Sequence, residues 1–390
     1  MSEPDTFELD LGSLRKPALL AGIVGALPLA FFAVRDPTQF FRSYLLAYVF
    51  WIGLPMGSLG LLMMHHLTGG GWGFVIRRLC EASSRTFLLM ALLFLPILGG
   101  ISQIYLWAQP AWAAEPHPRF KTIYLMPTFF GGRAVFYFAV WILLGYLLSK
   151  WSLEEDRTGD EGMHRRLAAL SGPGLILYGL TATFAAMDWV MSLEPRWFST
   201  IFGMIFIVVQ VLSALAFSIL MARKFSDREP LSSVASPGRF HDLGTLLLTF
   251  VMLWAYLAFS QFLLIWSGNL KDEIPWYLSR AYGPWAGVAV FLIVFYFAVP
   301  FLLLLNRPLK RRKHILAVIA GALLLVSLID VYWMVVPAFF PKAPAVHAAD
   351  VAAVVAIGGF WLWSFAGQLR GKPLVPLGDR RLEAVSEHGR

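Results

Sequence analysis

The chain has 390 residues, of which 58% are hydrophobic and 14% are charged, and its formal net charge is +8. Soluble domains carry roughly 25% charged residues, so this composition excludes an ordinary soluble protein and indicates a polytopic membrane protein. The single cysteine, Cys80, excludes a disulfide framework, a CxxCH haem attachment and any iron–sulfur or cysteine-zinc site built by this chain alone.

Ten stretches of about 20 predominantly apolar residues are each long enough to cross a ~30 Å hydrocarbon core. The first has no small-residue cleavage site, which favours a retained span over a signal peptide. The sequence therefore predicts an all-α polytopic membrane protein with ten transmembrane helices over 17–369, preceded by a segment 1–16 and followed by a polar, mobile tail 370–390. The predicted spans are 17–34, 43–67, 86–107, 128–149, 172–193, 198–222, 244–267, 284–305, 314–336 and 347–369.

Lysine and arginine are concentrated in the segments on the same side of the membrane as the N-terminus. Because basic residues stay on the cytoplasmic side, both termini are predicted to be cytoplasmic. The basic run Lys310–Lys313 follows the eighth span, so we interpret it as a loop anchor at the lipid membrane and expect no nucleic-acid partner.

His65 and His66 end the second span. Haem ligation requires axial ligands that face each other from different helices, and the predicted spans contain no such pair of histidines, so we expect no haem in this chain. Two roles stay open for His65 and His66. In the first role the two histidines take up protons from the cytoplasm, since imidazole titrates near neutral pH. In the second role they are interfacial residues near lipid headgroups. The glycine-rich segment 69–73 after them is predicted to be a flexible cytoplasmic turn.

Asp188 and Asp330 lie deep in apolar stretches, TATFAAMDWVMSLEP and LLLVSLIDVYWMVVP, and a proline follows each aspartate seven residues later. A carboxylate inside a membrane helix costs several kcal/mol unless it is paired, protonated or hydrated. Arg133, just within the fourth span, is a natural partner for Asp188. Either the aspartates carry protons, from a quinol or along a path, or they hold helices together near the prolines.

Three matches in the same order indicate an internal duplication. They are the two aspartate segments, VFYFAV at Val135–Val140 and Val294–Val299, and the Ser-Gln pairs that end at Gln103 and Gln261, each before a tryptophan. Matching spans are four apart, so the repeat is parallel. We therefore predict two four-helix units, 43–193 and 198–336, flanked by the first and last spans. The candidate proton-path residues are Asp188, Asp330, Gln261, Gln103, Arg133, His65 and His66; we predict no catalytic residue and no metal ligand.

The outer loops 108–127 and 268–283 are long and carry aromatic residues. Trp276 and Tyr277 suit the aromatic belt at the membrane interface, and the same loops could instead dock a partner outside the membrane. Glu194, after the fifth span, is expected to be solvated.

Four segments resemble the ActF family of membrane subunits of bacterial alternative complex III, a quinol:cytochrome c oxidoreductase. They are 54–82, 187–203, 252–280 (with FSQFLLIWSGNL and EIPWY) and 328–340, and together they reach from the second span to the ninth. The family is similar to the NrfD/PsrC class, so the resemblance implies ten spans with two four-helix bundles in a bacterial inner membrane.

The resemblance also implies a set of partners. These are a sister membrane subunit of the NrfD type, and c-type cytochromes and an iron–sulfur protein on the periplasmic face, which carry the haem c and the iron–sulfur clusters. The chain itself would bind no redox cofactor, scaffold the complex, and either conduct protons or contact quinol or quinone. In such complexes the sister subunit is the better candidate for the productive quinol site.

Two other classes of function remain open at this stage. Ten spans with internal symmetry and buried carboxylates would also suit a stand-alone proton-coupled transporter. A pure scaffold with structural aspartates is the third alternative. Transporters commonly break matched helices near the middle of the membrane, whereas the prolines within the predicted spans are scattered.

Overall fold

The computed structural model describes residues 11–379 and 381–382; residues 1–10, 380 and 383–390 of the predicted terminal segments lie outside this range. Within it, every regular element is a helix, and ten helices are long and apolar enough to cross a membrane. The prediction of an all-α protein with ten spans is therefore confirmed, and the chain is a multi-pass integral membrane protein.

Each span overlaps its predicted position, and many spans extend beyond the predicted ends. In order they are Gly12–Arg35, Pro37–Thr68, Gly71–Gly99, Pro127–Thr158, Gly162–Leu193, Phe202–Phe225, Pro237–Gly268, Trp285–Leu305, Lys313–Ala338 and Ala348–Leu369, called spans 1 to 10 below. Since the number of spans is even, span 1 begins and span 10 ends on one face of the bundle, which we call the terminal face.

Short helices connect the spans or interrupt them. Between spans lie Ile101–Ile104, Leu106–Ala108, Pro110–Ala113, Arg119–Tyr124, Leu231–Val234, Ile274–Ala281 and Arg307–Arg311. Span 3 divides into Gly71–Ser84, Phe87–Leu93 and Leu95–Gly99, and span 8 contains a π-helical segment, Ile293–Ala298. The aspartate-bearing helices of spans 5 and 9 end at Trp189 and Val335, and each continues as one 3₁₀ turn.

Span 3 is the largest difference from the sequence prediction, because it begins at Gly71 and not at 86. Only Gly69 and Gly70, with φ of 70° and 96°, form the turn that was expected over 69–73. The start of the helix that follows is tightly packed, since a Cβ at Gly73 would lie 1.9 Å from Nδ1 of His65. The hydropathy of Gly71–Ser84 is low because the segment contains two arginines and a glutamate. These residues are nevertheless buried, since they form ion pairs with one another.

Spans 2 and 6 form the centre of the bundle. In span 2, 94% of the most apolar window is buried, and span 6 contacts it along its length. Gly57 permits this contact, because a Cβ there would lie 2.1 Å from the carbonyl oxygen of Gln210. The proposed division into the units 43–193 and 198–336 stays a prediction, since spans 2 and 6 join both units in one continuous core.

The tail 370–390 was predicted to be mobile, and this was wrong for the part that the structure describes. Leu374 and Val375 are each 1% exposed, and Asp379 is buried in an ion-pair network with Arg77. The apolar pair and the buried charge fix this segment against spans 3 and 4.

Span 1 packs against span 10 through glycines. A Cβ at Gly359 would lie 2.1 Å from the backbone nitrogen of Gly22, and one at Gly25 would lie 2.5 Å from that of Ala356. Such close backbone approach is the usual way in which membrane helices gain contact, because lipid provides no hydrophobic force between them.

We expect Gly359→Ala to lower the free energy of unfolding by about 2 kcal/mol, because the added methyl group meets backbone and not a movable side chain. Thermal unfolding of the detergent-purified protein measures the effect. The matched control is Gly179→Ala in span 5, where a Cβ would have no neighbour within 4 Å. Equal melting temperatures for the two variants would contradict the proposed contact.

Candidate functional site

Asp188 is held by a complete set of donors. Nε and Nη2 of Arg133 donate to its two carboxylate oxygens at 2.8 and 2.7 Å, and the hydroxyl of Tyr137 donates to Oδ2 at 2.8 Å. Nη1 of Arg133 donates to the carbonyl of Tyr124 at 2.7 Å, and the guanidinium lies 3.9 Å from the ring centroid of that tyrosine. The structure thus contains the buried pair that the sequence suggested.

The backbone that follows Asp188 is satisfied as well. The hydroxyl of Ser192 donates to the carbonyl of Asp188 at 2.5 Å, and the hydroxyl of Tyr105 donates to that of Trp189 at 3.1 Å. Carbonyl groups that lose their helical partners are costly in a membrane, and here side chains replace those partners. The geometry at Asp188 and Arg133 therefore favours the structural interpretation of this pair.

Asp330 has the opposite surroundings. It is 1% exposed, and its Oδ2 has no hydrogen-bond partner among the residues that the structure describes. The indole of Trp254 lies close to the carboxyl of Asp330. Its Nε1 nevertheless forms no hydrogen bond of regular geometry with any acceptor in the described residues. Tyr296, which matches Tyr137 in the two VFYFAV segments, does not contact Asp330 in this way; its hydroxyl forms a hydrogen bond of 2.8 Å with the hydroxyl of Ser327.

The difference between the two aspartates follows from one residue. Arg133 stands two positions before the first VFYFAV segment, and Leu292 stands two positions before the second. The second segment therefore supplies a tyrosine but no guanidinium for the buried carboxyl. Leu292 lines a cavity, and Asp330 forms part of the wall of the same cavity.

This cavity, which we call the Asp330 cavity, has a volume of about 720 Å³ and an almost entirely apolar lining. It lies between spans 6, 7, 8 and 9, beside the π-helical segment of span 8. Tyr256, Phe259 and Ile293 line it and are also 66%, 62% and 58% exposed on the outer surface of the bundle. The cavity therefore opens sideways, toward the hydrocarbon of the membrane.

Polar groups lie at the end of the cavity that is farther from the terminal face. Gln261 is 3% exposed, its amide nitrogen donates to the hydroxyl of Tyr277 at 3.4 Å, and its oxygen accepts from Ser199 at 2.9 Å. Burial raises the pKa of Tyr277 to about 12, so its hydroxyl keeps its proton at neutral pH. Gln261, Tyr277 and Asp330 together form the polar part of an otherwise apolar wall.

The helix Ile274–Ala281 closes this end of the cavity, and the sequence did not predict this role. Trp276 was expected in the interfacial belt, but it is 3% exposed and stacks on Trp197 with ring centroids 4.6 Å apart. An amphipathic tryptophan can occupy either environment, so only the packing of the loop decides between them.

Arg280 fixes the same helix to spans 5 and 9. Its Nη2 donates to the carbonyl of Met334 at 3.1 Å and lies 2.6 Å from Oε1 of Glu194, an ion pair whose angles fall outside hydrogen-bond geometry. Burial lowers the pKa of Arg280, and Glu194 opposes this shift. The expectation that Glu194 is solvated was wrong, because it neutralises a buried arginine.

Gln103 is separated from the other candidate residues. It lies in the short helix Ile101–Ile104 beyond the end of span 3, it is exposed, and its side-chain oxygen accepts from Thr38 at 2.9 Å. Span 3 begins 15 residues before the predicted start at 86, and it ends at Gly99, before Gln103 is reached. Gln103 therefore does not line the Asp330 cavity, whereas the matching Gln261 does.

His65 and His66 are buried near the terminal face, each 2% exposed, so the interpretation as residues at lipid headgroups was wrong. The ring of His65 packs edge-on against Trp72 and Phe74 at 5.3 and 5.6 Å. All four ring nitrogens of the two histidines have no hydrogen-bond partner among the described residues. A role in proton uptake stays a prediction.

A network of buried charges next to these histidines was missed by the sequence analysis. Arg77 is fully buried and contacts Glu81, Glu155 and Asp379 at 3.2, 2.6 and 3.1 Å. Burial raises the pKa of Asp379, but Arg381 and Arg77 outweigh burial and hold that pKa below its usual range. Local sequence does not reveal these pairs, because Glu155 and Asp379 are distant from Arg77 in the chain.

Glu155, His164 and Asp379 place one potential ligand atom each within 4.8 Å of one another. Both carboxylates already neutralise Arg77, so a cation would have to displace this arginine. The group is therefore explained by the ion pairs that fix the tail to spans 3 and 4.

Comparison of the chain with protein-family models gives no match, and comparison with curated proteins gives none either.

We expect Asp188→Asn to lower the free energy of unfolding by about 3 kcal/mol, because it leaves the charge of Arg133 uncompensated in a partly buried site. Asp330→Asn should change it by less than about 1 kcal/mol, since Oδ2 of Asp330 loses no partner. Thermal and denaturant unfolding of the purified variants measure both effects.

The double variant Arg133→Gln with Asp188→Asn is the control for this prediction. It should recover part of the stability, because no uncompensated charge is left. Equal destabilisation by Asp188→Asn and Asp330→Asn would show that the ion pair does not distinguish the two aspartates.

Proposed function

We propose that this integral membrane protein is a subunit, without a redox centre of its own, of a bacterial respiratory complex that oxidises quinol. The complex would pass the electrons to a cytochrome c or directly to an oxidase. The resemblance of segments 54–82, 187–203, 252–280 and 328–340 to the ActF family supports this proposal. It implies a chain in the inner membrane beside an NrfD-like sister subunit, with c-type cytochromes and an iron–sulfur protein on the periplasmic face.

The observation that carries the proposal is the carboxyl of Asp330 in the wall of an apolar cavity, whose Oδ2 has no hydrogen-bond partner among the described residues. A buried carboxyl without a partner is costly, and such groups in membrane proteins mark substrate or proton pathways. A quinol offers the complementary chemistry, because its ring hydroxyls can donate to Asp330 while its apolar tail extends through the sideways opening past Tyr256 and Phe259. The volume of about 720 Å³ lies in the range of ligand sites.

The other polar groups of the cavity suit the same ligand. Gln261 and Tyr277 supply an amide and a protonated hydroxyl at the far end of the cavity, where they can contact a ring oxygen. The π-helical segment Ile293–Ala298 widens span 8 beside the ligand, as such segments often do at functional sites. Quinol contact in this chain would therefore be additional to the site that the resemblance implies in the sister subunit.

The proton-path candidates divide accordingly. Asp330 can accept a hydrogen bond or a proton from a quinol and Gln261 can accept a hydrogen bond, because both line the cavity. Asp188 is already committed to Arg133 and Tyr137, so we assign this pair a structural role. Electrons leave through the haem c and iron–sulfur clusters of the partner subunits, and this chain binds and orients the quinol.

The transporter alternative receives less support. The 3₁₀ turns of spans 5 and 9 lie at the ends of those spans. Interruptions inside a span occur only in spans 3 and 8 of the described chain, at Thr86 and Phe94 and over Ile293–Ala298. These two spans are not four apart, so they do not occupy matching positions in the two predicted units. Transporters with internal repeats usually break matched helices. The pure scaffold receives less support because it gives no reason for an unpaired carboxyl beside a cavity.

We expect the purified protein to bind the fluorescent quinol analogue 2-heptyl-4-hydroxyquinoline N-oxide with quenching of the analogue. Asp330→Asn should weaken binding about fivefold, because the hydrogen bond that the carboxyl makes to the analogue contributes about 1 kcal/mol. Gln261→Ala should weaken it about threefold, and the matched control Gln103→Ala should not change it. Unchanged affinity in both cavity variants would remove the cavity from the proposal.

The complex itself is tested by gentle solubilisation of native membranes and affinity isolation of this chain. We expect c-type haem absorbance and an iron–sulfur subunit in stoichiometric amounts with it. A colourless protein isolated alone would contradict the respiratory complex and favour a transporter with the same fold.

A further inference from the structure

A second groove lies at the terminal face, between spans 3, 4 and 10. It has a volume of about 420 Å³, and its lining includes Arg85, Leu88, Tyr146, Trp363 and Gln368. Arg85 follows the first helix of span 3, and Gln368 is close to the end of span 10, so the groove lies where these spans approach the edge of the membrane.

The groove has a basic end. The guanidinium of Arg85 lies 4.8 Å from the ring centroid of Tyr146, and Nζ of Lys150 lies 5.9 Å from the same centroid. On the opposite wall, the guanidinium of Arg15 lies 5.1 Å from the ring of Trp363. Three basic side chains from spans 1, 3 and 4 therefore converge on the aromatic rings that line one groove.

These basic groups form no ion pair with a carboxylate among the described residues. In residues 11–379 and 381–382, no carboxylate lies within 4.0 Å of the charged nitrogens of Arg85, Lys150 or Arg15. Lys372 adds a further positive charge next to Arg85. Burial lowers the pKa of Lys372, Glu81 opposes this shift, and Arg85 reinforces it. An anion at this end of the groove would relieve the repulsion between Arg85 and Lys372.

The other end of the groove is apolar and open to the surface. Leu88 and Leu92 line it and are 63% and 59% exposed, and Ile142 lies beside them. These side chains extend from the basic end along spans 3 and 4, in the direction of the middle of the membrane. A soluble anion would use only the basic end, whereas a molecule with a charged head and apolar chains would use both.

We infer that this groove is a binding site for an anionic phospholipid, whose phosphate lies between Arg85 and Lys150 and whose acyl chains lie along Leu88 and Leu92. Basic pockets between membrane helices at one face of a bundle bind such headgroups. The amide of Gln368 and the hydroxyl of Ser364 lie at the basic end, where they can donate to phosphate oxygens. The lipid joins span 10 to spans 3 and 4, and this role is independent of the function proposed for the Asp330 cavity.

Native mass spectrometry of the intact detergent-purified chain tests the site. The chain is titrated with dioleoyl phosphatidylglycerol and, separately, with dioleoyl phosphatidylcholine. We expect tighter retention of the anionic lipid, and Lys150→Gln should weaken that retention about fivefold, as expected for one basic side chain at a headgroup. Lys150 is exposed, so this variant should fold.

Arg157→Gln is the matched control, because Arg157 lies on the same helix as Lys150, is 75% exposed and pairs with Glu154 away from the groove. It should change retention less than twofold. Arg85→Gln should weaken retention as Lys150→Gln does, and Leu92→Ser should weaken it with all charges kept.

Three outcomes would overturn the inference. Equal loss in Lys150→Gln and Arg157→Gln would indicate diffuse attraction to a basic face and no defined site. Equal retention of the two lipids would exclude recognition of charge. Displacement of the lipid by millimolar inorganic phosphate, together with no effect of Leu92→Ser, would indicate a site for free phosphate.

Discussion

The close contact between spans 2 and 6 is the constraint on which the other features depend. Gly57 brings span 2 against the backbone of Gln210, and the two helices form a core that the remaining spans surround. Two carboxyl groups lie near this core in different surroundings: Asp188 is paired with Arg133, and Asp330 lines a cavity that span 6 also borders.

The two aspartates show how similar sequence surroundings can give different chemistry. Both lie on helices that end in a 3₁₀ turn, and each is near a tyrosine of a VFYFAV segment. Arg133 converts the first into an ion pair that stabilises the protein. Leu292 leaves the second without a counter-ion and lines the space in front of it. An ion pair and a carboxyl in a cavity wall can thus arise from one difference between two similar helices.

The two faces of the bundle are organised by buried arginines that act on chain segments outside the spans. At the terminal face, Arg77 fixes the segment around Asp379 against spans 3 and 4. At the other face, Arg280 fixes the helix Ile274–Ala281 over the Asp330 cavity. In both places an arginine with several acceptors orders a connection that composition alone would describe as a loop. The closure of the cavity therefore depends on an interaction between spans 5 and 9 and a segment between spans 7 and 8.

The sequence by itself determined the class of protein, the number of spans and most of their positions, because hydropathy is a local property of about 20 consecutive residues. It also suggested the pair of Arg133 and Asp188. It failed at the start of span 3, at Trp276 and Glu194, and at the tail, where polar residues are buried by partners distant in the chain. Only the tertiary structure decided which carboxyl is paired and where a cavity remains, because these depend on which faces of different helices meet.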